Sequence, residues 1–225
     1  MNFKGDFNRI GDFGIASLKA AVESITEEEW AADAWRQKEF ETHADTQTIQ
    51  LVFDADFRHS NPTYLPKYDE FKDILEPLTN LIARHFNKSL AVRRLQKKHG
   101  KGYLIRMILV RLKPGGVIPA HGDEGHSLLH GHRIHLPVIS QGKALFTVGN
   151  TTKALQEGEI WEINNKRTHS VNNLGDAPRV HLIFDWVIPG ERCCCGKKLR
   201  PQGICSPEAC HSTDFGAEDC SCYPY

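Results

Sequence analysis

Two periodicities divide the chain near Gly102. Before it, apolar residues recur at helical spacing; after it, they alternate or cluster in short runs cut by turn residues. Residues 13–40 read as helix. Ile15, Leu18, Ala21 and Val22 share one face, and Thr26-Glu27-Glu28-Glu29 has the form of a capping box ahead of Trp30. Thr46 to Phe53 alternates and is β-branched at its start, which predicts a strand. Asn61-Pro62-Thr63-Tyr64-Leu65-Pro66 reads as a loop. Residues 68–86 return to helical spacing, with Phe71, Ile74, Leu75, Leu78 and Ile82 forming one apolar face suited to packing on a sheet.

Beyond Gly102 the period is two. A long strand is predicted from Tyr103 to Leu112, closed by the turn Lys113-Pro114-Gly115-Gly116. Shorter strands follow at 133–140, 143–148, 159–163, 169–172 and 179–187. Turns at Gln141-Gly142, Gly149-Asn150, Glu157-Gly158, Asn164-Asn165 and Gly175-Asp176 separate them. Many short strands with frequent turn chemistry predict a sandwich or jelly roll. The expected fold is mainly β with α, a jelly-roll, cupin-like core under an N-terminal helical cover. Residues 1–100 would form the cover, 101–190 the roll, and 191–225 a separate Cys-rich tail.

Composition narrows the class. The chain has 225 residues, enough for one substantial core, and its 28 Lys+Arg balance 28 Asp+Glu. That balance lacks the basic excess of a nucleic-acid binder, so no nucleic-acid partner is expected. The N-terminus shows no apolar signal region and no run is long enough to span a bilayer, so the expectation is a cytoplasmic protein without a membrane partner. All 7 cysteines follow Arg192. A core free of cysteine agrees with a reducing compartment. The thiol density of Cys193-Cys194-Cys195, Cys205, Cys210, Cys220 and Cys222 suggests zinc in the tail, against the plainer reading of a tail with reactive thiols.

Candidate chemistry concentrates among the 12 histidines. In Pro119-Ala120-His121-Gly122-Asp123, His121 and Asp123 stand two residues apart. On an extended segment both side chains reach the same side and can converge on one ion. The plainer reading is a polar turn. His169, in Thr168-His169-Ser170-Val171-Asn172, supplies the distant imidazole. Two histidines and one carboxylate are the facial donor set of non-haem Fe(II). Arg179 opens the next apolar run, where a guanidinium fork matches the far carboxylate of a metal-bound 2-oxo acid. Arg133 and His135 share one strand face and would be costly to bury without a ligand. His126, His130 and His132 lie in a Gly-containing loop read as a lid. A second pair, His43 and Asp45, lacks a downstream partner at similar spacing and is set aside as a metal site.

Five motifs in order carry a family resemblance. Pro119-Ala-His-Gly-Asp123, Arg133-Ile-His-Leu-Pro137, Gly158-Glu-Ile-Trp-Glu-Ile-Asn-Asn165, His169-Ser-Val-Asn-Asn173 and Arg179-Val-His-Leu-Ile-Phe-Asp-Trp186 together resemble the aspartyl/asparaginyl β-hydroxylase family. The resemblance spans roughly residues 106–187. It implies a double-stranded β-helix and an Fe(II)- and 2-oxoglutarate-dependent dioxygenase that consumes O2, releases succinate and CO2, and hydroxylates an amino-acid, peptide or protein side chain. By position it implies iron at His121 and His169, the distal 2-oxoglutarate carboxylate on Arg179, and Arg133 and His135 lining the cosubstrate and substrate pocket. Some members of the family bind iron through two histidines alone; Asp123 makes this chain resemble those with a full triad.

Two rivals of other classes stand beside it. One is a non-catalytic cupin-like module whose histidines hold a structural metal or merely hydrogen-bond. The other is a cupin oxygenase or isomerase that needs no 2-oxo acid. Arg179 discriminates, because neither rival has a use for a buried cation near the ligands.

Overall fold

The computed structural model describes residues 3–54, 62–123, 127–128, 131–189 and 191. The chain enters as strand β1 (Phe7–Asp12) and continues through helices α1 (Ala16–Glu23), α2 (Glu27–Ala31) and α3 (Trp35–Glu39) and a 3-10 turn at Glu41–His43. Strands β2 (Thr46–Phe53) and β3 (Thr63–Tyr64) precede helices α4 (Pro66–Phe86) and α5 (Leu90–His99). Strands β4 (Tyr103–Leu112), β5 (Val117–His121), β6 (His132–Ile139), β7 (Ala144–Val148), β8 (Thr151–Ala154), β9 (Glu159–Ile163), β10 (His169–Asn173) and β11 (Arg179–Val187) complete the order.

The strands form two antiparallel sheets. The larger runs β1-β9-β6-β11-β4-β2-β3 and the smaller β5-β10-β7-β8. They face each other across Leu112 and Ile163 on one side and Ile118, Phe146, Val148 and Val171 on the other. This is the mainly β double-stranded β-helix expected from the strand pattern.

The large sheet carries a second core on its outer face. Leu18, Val22, Trp30, Leu75, Leu78 and Ile82 from the helices pack on Leu51, Leu109, Leu136, Leu182 and Phe184. Burial of each such side chain contributes roughly 1.5–3 kcal/mol, which holds the short helices in place. Central strands are thus buried on both faces, and β4, β6 and β11 read as long apolar runs rather than clean alternations. Alternation survives in what each face carries. On β6, Ile134, Leu136 and Val138 join the helical core, which turns Arg133 and His135 into the roll. On β11, Val180, Leu182, Phe184 and Trp186 do the same, leaving Arg179, His181 and Asp185 on the other face.

Several expectations are revised. The stretch 13–40 is three short helices, not one. The capping box at its middle is present, with Thr26 Oγ1 accepting from Glu29 N–H and Glu29 accepting from Thr26 N–H. Strands β1, β5 and β8 and helix α5 add to the expected elements. The 61–66 loop includes the two-residue strand β3, which pairs with β2. His132 opens β6, with Nδ1 2.6 Å from Glu162 Oε1 and Nε2 2.9 Å from Glu191 Oε2. It is a clamped, buried residue and no part of a lid. His126 and His130, and the whole Cys-rich segment with its zinc expectation, lie outside the described residues. No described helix is long and apolar enough to cross a membrane.

Candidate active site

His121 ends β5 and His169 begins β10, and the two are registered opposite each other across the small sheet. Their ring centroids stand 4.3 Å apart. Asp123 follows two residues after His121, with its Oδ1 3.8 Å from His169 Nε2. Among the described residues, His121, Asp123 and His169 form a group whose ligand atoms all lie within 4.8 Å of one another.

The hydrogen bonds around the group fix its donors. His121 Nδ1 lies 2.7 Å from Pro119 O, and His169 Nδ1 3.0 Å from Arg167 O. A carbonyl only accepts, so each Nδ1 carries the hydrogen, and each Nε2 keeps its lone pair turned toward the shared space. Burial pushes the His169 pKa down against the opposing pull of Asp123, so this imidazole is neutral near pH 7. Asp123 is held at about 2. Burial alone would raise it, but Arg133, His169 and His121 overcome that, with a further hydrogen bond from Asn165. Two imidazole nitrogens and one ionised carboxylate are a donor set suited to a ferrous ion.

Arg133 sets the carboxylate. Its Nη1 donates to Asp123 Oδ2 at 2.7 Å, while Nε and Nη2 donate to Asp185 Oδ1 and Oδ2, both at 2.9 Å. The register pairs Arg133 with Asp185 directly across β6 and β11. Gly131 lies against Asp185 so closely that an added Cβ would sit 3.0 Å from the Asp185 Cβ. Arg133 reaches the cavity as expected, yet three of its donors are committed to carboxylates.

Deeper in the roll lies a different environment. Arg179 is 2% exposed, with its guanidinium carbon 6.0 Å from the Phe146 ring centre. Its Nη2 donates to His181 Nδ1, and its Nε has no partner among the described residues. No carboxylate among the described residues bridges it. Burial presses its pKa down to about 9, still protonated at neutral pH. Burial, then Arg179, holds His135 and His181 well below 6.5. His135 Nε2 is also buried without a partner. A cation and an unpartnered ring nitrogen inside a roll are expensive unless an anion joins them. A narrow cavity of about 40 Å³ connects Arg179 and His135 with His121, Asp123 and His169.

At the mouth a cavity of about 400 Å³ opens beside His121 and Asp123. Trp35, Arg36, Phe40 and His43 line it from the N-terminal segment. Arg36 was missed in the sequence, and His43 was considered there only as half of a metal pair and set aside. His43 and Asp45 part company: Asp45 accepts from Val117 N–H at 2.9 Å and pairs with Lys113, whereas the His43 ring sits 5.8 Å from that of His121. Asp185 was also missed, although an acid sharing strand parity with Arg179 and His181 was a readable signal.

A double-stranded β-helix with two imidazoles and a carboxylate converging between its sheets defines a class, the non-haem iron oxygenases. Residues 82–189, which include the roll, match the model of the family described as Aspartyl/Asparaginyl beta-hydroxylase. No curated protein matches the chain. Among solved structures, an oxidoreductase of the 2OG-Fe(II) oxygenase family from Burkholderia pseudomallei is similar at 14% identity and TM-score 0.49, covering 78% of this chain and 90% of that one. A prolyl-4-hydroxylase from Pseudomonas putida is similar at 11% identity and TM-score 0.46, covering 82% and 93%. The viral collagen prolyl hydroxylase from Paramecium Bursaria Chlorella virus-1 is similar at 9% identity and TM-score 0.45, covering 81% and 96%.

Proposed function

We propose that the protein is an Fe(II)- and 2-oxoglutarate-dependent dioxygenase that hydroxylates an amino-acid or peptidyl side chain and releases succinate and CO2. The observation that carries this reading is the buried Arg179, without a carboxylate partner among the described residues, in the same cavity as the His121–Asp123–His169 group.

His121 and His169 through Nε2, and Asp123 through Oδ1, would hold the iron. Bound there, iron would supply oxidising power from O2 and 2-oxoglutarate sufficient for an unactivated C–H bond. The chain supplies everything else. Arg179 clasps the distal carboxylate of the keto acid in a site closed to water, where a charge-assisted pair is strongest. His135, with its Nε2 unpartnered among the described residues, borders the same ligand. Arg133 holds Asp123 in one orientation and leaves Oδ1 free. Val110, Ile118 and Val171 wall the cavity with apolar surface that excludes bulk water from the reacting centre. The wider mouth presents the substrate side chain.

The test is succinate release from the purified chain given Fe(II), ascorbate, O2 and 2-oxoglutarate, together with a mass-spectrometric search of amino acids and peptides for a gain of one oxygen atom. Turnover of 2-oxoglutarate that requires Fe(II) supports the reading. Absence of both turnover and 2-oxoglutarate binding favours a cupin-like binding module instead.

A further inference from the structure

Four arginines line the two connected cavities, and three have assigned anions. Arg106 pairs with Asp54, its Nε donating to Oδ1 at 2.8 Å, and lies over the Phe53 ring at 4.6 Å. Arg133 pairs with Asp185 and Asp123. Arg179 faces the proposed cosubstrate. Arg36 is left over. Its Nη1 donates to Thr48 Oγ1 at 3.3 Å and its Nη2 to His43 Nε2 at 2.9 Å, both neutral acceptors. No described carboxylate bridges it.

The neighbour is unsatisfied too. A guanidinium only donates, so His43 Nε2 accepts and the ring hydrogen sits on Nδ1. That Nδ1 is buried without a partner among the described residues. A permanent positive charge beside an unpaired donor faces the mouth of the cavity.

Charge balance says when this matters. On the iron and 2-oxoglutarate reading, on which this inference rests, the ion and Arg179 together offset Asp123 and the dianionic keto acid. Asp54 and Asp185 offset Arg106 and Arg133. The loaded site then keeps one unmatched charge, that of Arg36. Around it stand Trp35 and Phe40, ring centres 5.7 Å apart, and Phe53, 6.5 Å from Trp35. Trp35 is 39% and Phe40 45% exposed, an apolar wall open at the mouth. A cavity of this size fits a small molecule with one anionic end and one apolar part.

We propose that Arg36 is the substrate-carboxylate anchor, so the substrate class is a small carboxylate-bearing molecule such as a free amino acid. Its apolar part lies along Trp35, Phe40 and Phe53. Arg36 touches His43, and His43 lies ring-to-ring beside His121, so the anchored carboxylate is only a few bonds from the carbon presented to the metal. An internal residue of a protein chain other than Asp or Glu has no free carboxylate to offer there. Arg36 also lies outside the family-matching residues 82–189, where an element of substrate choice can vary without disturbing the roll.

The experiment is calorimetric titration of the full chain, loaded with Mn(II) and 2-oxoglutarate, against the common L-amino acids and the same set as carboxamides. At least one free acid binds, and its carboxamide binds roughly tenfold or more weakly, the loss expected for one charge-assisted contact. Arg36→Met weakens the acid by a similar factor, Arg36→Lys recovers part of it, and the Kd of 2-oxoglutarate stays within about threefold. The proposal is overturned if no acid binds, if carboxamides bind as well as acids, or if Arg36→Met leaves the acid's affinity unchanged. Should Arg36→Met not fold, the acid-against-carboxamide comparison on the unaltered chain decides. Failure of 2-oxoglutarate to bind the loaded chain sinks the cosubstrate reading instead, while an acid that still requires Arg36 leaves the anchor standing.

Discussion

Arg133 and Asp123 meet at 2.7 Å, and the bond ties up one oxygen of the carboxylate while the other stays turned toward His169. Asp185 holds the opposite edge of the same guanidinium. The arrangement makes the orientation of Asp123, the proposed third metal ligand, a property of β6 and β11 as much as of the segment that follows β5. Arg133→Met strands the fully buried Asp185, and removing one partner of a buried pair costs about 3–5 kcal/mol. Arg133→Lys keeps the charge and loses the fork, so it retains the fold and weakens metal binding by roughly ten- to a hundredfold. Denaturant midpoints and Mn(II) titrations of the two variants separate these effects; equal metal affinity in Arg133→Lys would contradict the orienting role.

Arg179 gives the opposite signature. Its charge is buried without an acid, so Arg179→Met relieves a desolvated cation and leaves the metal-free protein at least as stable. The same change costs 2-oxoglutarate roughly tenfold to a hundredfold or more in affinity. Thermal melts alongside 2-oxoglutarate titrations check both halves. A marked fall in Tm would mean that Arg179 serves packing instead.

Gly131 tests the support for Asp185 from the backbone side. A Cβ there would press on the Asp185 Cβ at 3.0 Å, tighter than ordinary contact. Gly131→Ala is expected to destabilise by about 1–3 kcal/mol, the usual cost of overpacking. Chemical denaturation reads it, and an unchanged midpoint would show that β6 shifts freely.

A pH dependence belongs to His132. Burial alone would lower its pKa, but bonds to Glu162 and Glu191 overcome that and raise it to about 9. A group whose folded pKa exceeds its unfolded one stabilises fully below the unfolded value, near 6.5, and loses that contribution as pH rises through the folded value. The chain should therefore lose about 2 kcal/mol between roughly pH 6.5 and pH 9. His132→Gln should flatten that slope. Stability curves across the interval that coincide for both proteins would refute the assignment.

The sequence made most of the roll legible because its strands end in turn chemistry. Pro119 obscured β5, since a proline argues against a strand unless it lies at an edge, and β5 is the edge of the small sheet. Strand β1 was hidden by polar residues and by the register shift between Arg9 and Gly11. The proposed ligands His121, Asp123 and His169 and the buried cation Arg179 could be named as candidates because spacing and motif carried them. Arg36 and His43 could not. They sit on a five-residue helix and a 3-10 turn whose place over the roll is decided by packing of Trp30 and the helical core, far away in sequence from His121. The dual engagement of Arg133 was equally invisible, because one partner lies ten positions before it and the other, Asp185, across a strand pair.

The most direct measurement is calorimetric titration of 2-oxoglutarate into the full chain with and without Mn(II). The account predicts one binding site per chain that appears only with the metal, is lost in His169→Ala and is severely weakened in Arg179→Met. Binding that ignores the metal, or none at all to the loaded protein, would contradict it.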